Sequence, residues 1–358
     1  RIHTIALQRN EKTAILASMV EGVLAVDSQE RLISVNQAAL NMLAIAAQET
    51  ADKPIQEIVR NPTLQDLVGQ VLGGNGPVEQ EILLRNGQEK VLHAHASDLR
   101  SANGERIGAL LMLNDITRLR RLETVRQDFV ANVSHELRTP ITSIKGFVET
   151  LQDDPLDDAD HVRHFLRIIA RQVDRLNAII EDLLLLSSIE QDLEGRQLKR
   201  NRTVLGDVLT ASAELCAARA AEKGTVIEVE CPPDLTAEVN APLLEQALVN
   251  LIDNAVKYSE AEARIEVTAQ EEEDGIAVSV RDYGVGIQAE HLPRLFERFY
   301  RVDTARSRKM GGTGLGLAIV KHIARAHNGY VTVESVPNEG SRFTIHLSAE
   351  MPPEAAEA

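Results

Sequence analysis

The chain has 358 residues, 44% hydrophobic and 26% charged, with 54 acidic side chains against 38 basic ones and a formal net charge of -16. That length exceeds what one hydrophobic core organises and predicts two or three domains, while the composition excludes wholesale disorder. So acidic a surface repels phosphate backbones and argues against nucleic acid as a direct partner.

Aromatic residues are 3% with no Trp. Aliphatic side chains must then fill the interior, which suits helices packed lengthwise. Cys216 and Cys231 are the only cysteines. They offer no disulfide framework and fit a reducing, cytoplasmic setting. No stretch approaches the roughly 20 apolar residues needed to cross a bilayer. The chain begins at Arg1 without Met or a signal-peptide pattern, so an upstream part is expected to be missing.

In chain order, residues 1–12 read as the end of a helix and 13–117 as a small α+β domain. Short alternating segments at 23–26, 32–35, 81–84 and 107–113 predict strands. Gly73-Gly74-Asn75-Gly76-Pro77 predicts a loop, and Asn86-Gly87 and Asn103-Gly104 predict tight hairpin turns.

Over 118–190 the apolar residues Leu119, Leu122, Val125, Phe129, Val133, Leu137, Ile141, Ile144, Val148 and Leu151 recur at helical spacing. An acidic break at 153–158 follows. A second stripe then runs Val162, Phe165, Ile169, Val173, Leu176, Ile180, Leu183 and Leu186. Two helices cannot bury both stripes, so a homodimeric four-helix bundle is expected.

Residues 191–202 read as a polar linker and 203–349 as a second α+β domain, a sandwich with a mixed sheet. Its helices are expected at 205–222, 241–258 and 314–327, and its strands at 226–230, 263–269, 276–282, 330–335 and 341–347. The tail 350–358, with Pro352-Pro353, is expected to be disordered.

Three kinds of chemistry stand out. On the first long helix, Ser134-His135-Glu136-Leu137-Arg138-Thr139-Pro140 places His135 about 200° from Val133 and Leu137, so the imidazole points to water. A neutral imidazole is an available nucleophile. Glu136 can accept the proton from the other ring nitrogen, and Thr139, one turn on, can orient a water for hydrolysis. Pro140 leaves the Glu136 carbonyl without its helical donor, so a bend is expected. Any single histidine among ten is by default a surface residue. The zinc motif H-E-x-x-H fails because Thr occupies position 139, and His93, His95, His161 and His164 lack convincing partner ligands.

In the last domain, Gln246, Asn250 and Asn254 follow at steps of four on one helix, with Lys257 and Tyr258 beside them. Carboxamide oxygens are hard ligands suited to Mg²⁺, and Lys257 would neutralise phosphate. Asp282-Tyr283-Gly284-Val285-Gly286 ends an apolar strand, so Asp282 can accept from an adenine amino group. The run Gly284 to Ala289 also fits a dinucleotide fingerprint, but Pro293 cuts the following helix short and no βαβ unit surrounds it.

Gly311-Gly312-Thr313-Gly314-Leu315-Gly316-Leu317 precedes a helix whose free amides can hold polyphosphate, without a P-loop lysine. Phe296-Glu297-Arg298-Phe299-Tyr300-Arg301 offers an arginine able to reach phosphate, with Phe296 and Phe299 either anchoring that mobile lid or forming a plain hydrophobic plug.

These elements, in this order, resemble the H, N, G1, F and G2 boxes of sensor histidine kinases. Gly22 to Asp27, Asn36 to Ala39 and Asn114 to Thr117 resemble the opening and exit of PAS domains, as in membrane sensors of phosphate limitation or cell-wall state. The resemblance implies a dimeric phosphotransfer bundle and an ATP-binding domain of the gyrase and Hsp90 kind.

It also implies residue roles. His135 is the phosphoacceptor, Glu136 the acid/base and Thr139 the position tied to phosphatase activity. Asn254 ligates Mg²⁺, and Asn250, Lys257 and Arg301 face the phosphates of ATP. Tyr258 and Asp282 face the nucleoside, Gly312, Gly314 and Gly316 belong to the lid, and Gly284, Gly286, Ile287, Thr313 and Leu315 are further nucleotide-binding positions.

The expected partners are the receiver domain of a separate response regulator and a second copy of the chain; for the PAS domain two readings stand side by side, a small ligand in its cavity or a domain that only dimerises or transmits strain. Membrane contact is expected only through an upstream segment, with this chain on the cytoplasmic side. The competing expectation is an ATP-driven clamp of the Hsp90 or mismatch-repair class.

Overall fold

The computed structural model describes residues 17–46, 53–86, 88–153, 159–195, 198–273, 275–302 and 312–347. The expected helix at 1–12, the turn residue Gly87, most of the acidic break, Gly311 and the tail lie outside them. The chain divides into two compact units, 1–130 and 131–358.

In the first unit, β1 (Gly22–Asp27) and β2 (Leu32–Val35) lead into helices α1 (Gln37–Leu43), α2 (Ile55–Ile58) and α3 (Pro62–Leu72). Strands β3 (Val78–Asn86), β4 (Gln88–Arg100) and β5 (Arg106–Asp115) follow. They form one antiparallel sheet in the order β2-β1-β5-β4-β3. Alternate strand positions face the core: Leu24 and Val26, then Leu92, Ala94 and Ala96, then Ala109, Leu111 and Leu113. Leu64, Leu67, Val68 and Val71 of α3 meet them at helical spacing.

Asn36 secures the turn from β2 into α1. Its buried Oδ1 accepts from Val23 N and Ala39 N, both at 2.9 Å, while Nδ2 donates to the Glu21 carbonyl. It is both N-cap and strand brace.

Strand β4, 13 residues long, lies between the two expected hairpin turns, but its span was not among the alternating segments named from the sequence. Its core-facing positions after Leu92 are Ala94 and Ala96, which are small and poor strand formers, so apolar alternation is faint there.

Helix α4 (Thr117–Asp153) contains the division between the units and continues through Pro140, which is buried. Helix α5 (Ala159–Gly195) extends beyond the expected end, so the segment read as a linker is helical as far as Gly195. From Asn201 that segment is strand β6 (Asn201–Val204), paired with β8 (Thr236–Val239) in a two-stranded sheet that was also not expected.

Phe147 and Phe165 meet across the α4–α5 pair at 5.3 Å between ring centroids. Ile179 is fully buried, whereas Ile180, assigned to the buried stripe by spacing, is 43% exposed.

The rest is α6 (Leu205–Lys223), β7 (Val226–Glu230), α7 (Ala241–Tyr258), β9 (Arg264–Glu272), β10 (Gly275–Asp282), α8 (Gly316–Ala326), β11 (Tyr330–Val336) and β12 (Gly340–Leu347). The sheet runs β11-β12-β10-β9-β7, parallel only between β7 and β9. Residues Ala289–Arg294 form a 3₁₀ turn around Pro293. With β10 antiparallel to both neighbours, the dinucleotide alternative has no βαβ frame.

Helices α6, α7 and α8 and the sheet share one core that includes Leu209, Leu248, Ile252, Val267, Val280, Ile319 and Ile345. Leu186 and Ile189 from the end of α5 join it.

Candidate nucleotide and phosphoacceptor site

Helix α7 sets one wall of the site. Asn240 caps it by accepting from Leu243 N, Pro242 enters the first turn, and Leu244, Leu248, Leu251 and Ala255 are buried. This leaves Gln246, Asn250, Asp253, Asn254 and Lys257 along a cavity of about 470 Å³, a size usual for small-molecule sites.

Tyr258, Asp282, Gly286, Ile287, Arg301, Gly312, Thr313, Gly314 and Gly316 complete most of its lining. Thus Asn250, Asn254, Lys257 and those nine converge from four separate stretches of sequence. Gly284 lies behind the lining, where a Cβ would stand 2.3 Å from the Tyr258 carbonyl oxygen. Leu315 is fully buried, and its amide is 3.2 Å from Thr313 Oγ1.

The carboxylates differ by surroundings. Asp282 is 5% exposed, and its Oδ1 accepts from Gly284 N at 2.9 Å. Burial pushes its carboxyl above the usual range despite that bond. Burial also works on Asp253, but Lys257 Nζ at 2.6 Å and Arg219 Nη1 at 2.5 Å outweigh it and hold that carboxyl low.

Asp182 of α5 also lines the cavity. It accepts from Thr313 Oγ1 at 2.7 Å and is raised by burial. The sequence reading missed Asp182, Asp253 and Arg219. Asp253 was within reach, because it stands four residues before Lys257; Asp182 and Arg219 come from remote helices.

Gly286 has φ 62°, and a Cβ there would collide with the Val336 carbonyl oxygen at 2.0 Å. Only glycine fits this turn between β10 and the cavity. On the α7 wall, Asn250 Nδ2 is buried without a protein partner among the described residues. A buried amide left so calls for a polar ligand.

At the hairpin, His135 is exposed and Glu136 half-buried. One oxygen of Glu136, Oε2, takes Arg175 Nη2 at 2.8 Å and Arg301 Nη2 at 3.0 Å. Arg301 is 5% exposed, and the same nitrogen donates to the Thr313 carbonyl at 2.7 Å. A residue lining the nucleotide cavity therefore also grips the neighbour of His135. Thr139 is exposed, its hydroxyl donating to the His135 carbonyl at 3.1 Å.

Three family models match: a PAS fold over 16–121, a His Kinase A (phospho-acceptor) domain over 125–192, and a histidine kinase-, DNA gyrase B- and HSP90-like ATPase over 239–351. The phosphate regulon sensor protein PhoR of Pseudomonas aeruginosa is 35% identical over 365 residues, spanning all of this chain and 77% of that protein. The chain belongs to the sensor histidine kinases.

Against the sensor histidine kinase WalK of Bacillus subtilis, this kinase is 31% identical over 350 residues, covering 95% of the chain and 55% of that relative. It thus spans little more than half the length of WalK. The structure of histidine kinase ThkA in complex with the response regulator protein TrrA aligns with a TM-score of 0.51 at 21% identity. That alignment covers 93% of this kinase and 97% of ThkA, and the likeness is one of fold. The kinase is an ATP-using protein-histidine kinase with a PAS domain, a phosphoacceptor region and an ATPase domain.

Proposed function

We propose that the chain moves the γ-phosphoryl group of ATP to an imidazole nitrogen of His135 and hands it to an aspartate of a separate response regulator. The observation that carries this is the Arg301–Glu136 pair, which brings a cavity-lining cation beside the exposed His135. A P–N bond forms as the bond from the γ-phosphorus to the bridging oxygen breaks, and ADP leaves. The displaced ring proton passes to the Glu136 carboxylate. Arg301 and Lys257 offset phosphate charge, and Asp282 accepts from the base, so catalysis is mainly positioning and charge neutralisation.

The carboxamides of Asn254 and Asn250 suit a Mg²⁺ ion, and the unpartnered Asn250 amide fits a site that a polar ligand completes. Mg²⁺ supplies charge neutralisation at the phosphates. Thr139 serves the reverse, hydrolytic reaction on the regulator.

The same reading takes residues 13–117 as the sensor domain, 118–190 as the dimerisation and phosphotransfer hairpin and 203–349 as the catalytic domain. Exposed Ile141, Leu166, Val173 and Leu184 support burial against a second copy. The regulator is supported by the bound TrrA of ThkA. A small ligand is the candidate input of the PAS domain, whose match supports the fold and not the ligand. Among the described residues no helix is long and apolar enough to cross a membrane. The reading places the kinase on the cytoplasmic side, anchored through a segment outside these residues.

Incubation with γ-labelled ATP and Mg²⁺ tests the chemistry. An acid-labile protein label is expected, absent in His135→Gln and chased by a receiver domain. Label persisting in that variant, or phosphate release without labelling as a clamp would give, overturns it.

A further inference from the structure

We propose that Lys223 is a positioning residue for nucleotide binding, acting through the end of helix α7 without touching the nucleotide; this rests on the ATP-site reading above. The C-terminus of a helix leaves its last carbonyls without helical donors. At α7, Lys223 Nζ donates to the carbonyls of Val256 at 2.7 Å, Lys257 at 2.9 Å and Ser259 at 2.6 Å. The Ala255 carbonyl takes Ser259 N at 3.0 Å and Ser259 Oγ at 2.7 Å. Tyr258 alone in this turn presents its carbonyl elsewhere, to Val285 N at 3.4 Å.

The division of acceptors has a consequence for the site. By holding the carbonyls on both sides of Tyr258, the ammonium fixes the plane in which the Tyr258 carbonyl projects. That carbonyl is the seat of the Asp282–Gly286 turn: it meets Val285 N and lies where a Cβ on Gly284 would stand 2.3 Å away. Lys257 and Tyr258 on one side, and Asp282, Val285 and Gly286 on the other, all line the cavity.

Lys223 thereby sets the spacing between the phosphate-facing and base-facing walls. A cation at a helix C-terminus is also favoured by the helix dipole, and three charge-assisted bonds from one head group are stronger than neutral ones. Lys223 is the last residue of α6, so the contact ties α6 to the site as well.

Lys223→Met keeps the apolar stem and removes the donors. Autophosphorylation by the full chain should then show the KM for ATP raised about tenfold, with kcat within about twofold. The Kd for ADP·Mg²⁺, measured by calorimetry, should rise in parallel, and Lys223→Arg should recover most of both. An unchanged KM and Kd alongside a lowered thermal midpoint would make Lys223 a plain helix-end stabiliser and overturn the proposal, as would a fall confined to kcat. Should Lys223→Met not fold, Lys223→Gln, with fewer donors, must give intermediate values, and wild-type values there count against the proposal. If the unaltered chain neither binds ADP nor labels, the functional reading is what fails.

Discussion

His322 illustrates how burial and charge act on one side chain. It sits in α8 with 18% of its side chain exposed, Nε2 3.6 Å from Glu190 Oε1. Burial, then the nearby Arg298, Arg325 and Lys321, lowers its pKa to about 4. Glu190 would oppose this, but the same oxygen is already engaged by Arg298. The folded chain therefore keeps His322 neutral while the unfolded chain protonates near the ordinary value of 6.5.

The stabilisation from the neutral form is complete above that value and is lost as pH falls from about 6.5 towards 4, because only the unfolded state gains the proton. The thermal midpoint of the wild type should drop more between pH 7 and pH 5 than that of His322→Asn. Equal drops would show that His322 does not titrate differently in the two states. Nothing in the sequence set His322 apart among the ten histidines, and only its neighbours in the fold select it.

Among elements, the two long helices and α7 were the most legible. Apolar spacing over many turns placed the hairpin, and the Ala241–Tyr258 bounds of α7 agree with the reading, Asn240 and Pro242 marking its start. The end of α5 was not legible, because polar residues after Glu190 resemble a linker while the helix continues to Gly195. Tertiary packing explains the difference: Leu186 and Ile189 are buried in the nucleotide-domain core, which holds the helix beyond where its own stripe ends.

Ile189→Ala should cost about 2–5 kcal/mol, the range for emptying a buried aliphatic site, and lower the urea midpoint reported by the nucleotide domain. A change confined to the hairpin would show that α5 does not share that core. Strands β6 and β8, four residues each, were missed since so short a segment carries too few alternations to register.

For the molecule as a whole, the hairpin exposes Ile141 at 52%, Leu166 at 52% and Leu184 at 67%. Exposed aliphatic residues on both helices favour association, since each buried methylene contributes about 0.8 kcal/mol. Ile141→Glu combined with Leu166→Glu should convert a dimer into a monomer by sedimentation, and a wild type already monomeric at micromolar concentration would remove the bundle from the reading.

The sequence by itself determined the order of domains, the helical hairpin, the mixed-sheet class and the identity of the groups suited to nucleotide and phosphoryl chemistry, because periodicity and short motifs are local properties. Only the tertiary structure decided that Glu136 holds Arg175 and Arg301 together, that Asp182 reaches Thr313, and that Lys223 closes the end of α7. Those contacts join residues 33 to 165 positions apart, and no local pattern records which distant chain segment will supply the counter-charge.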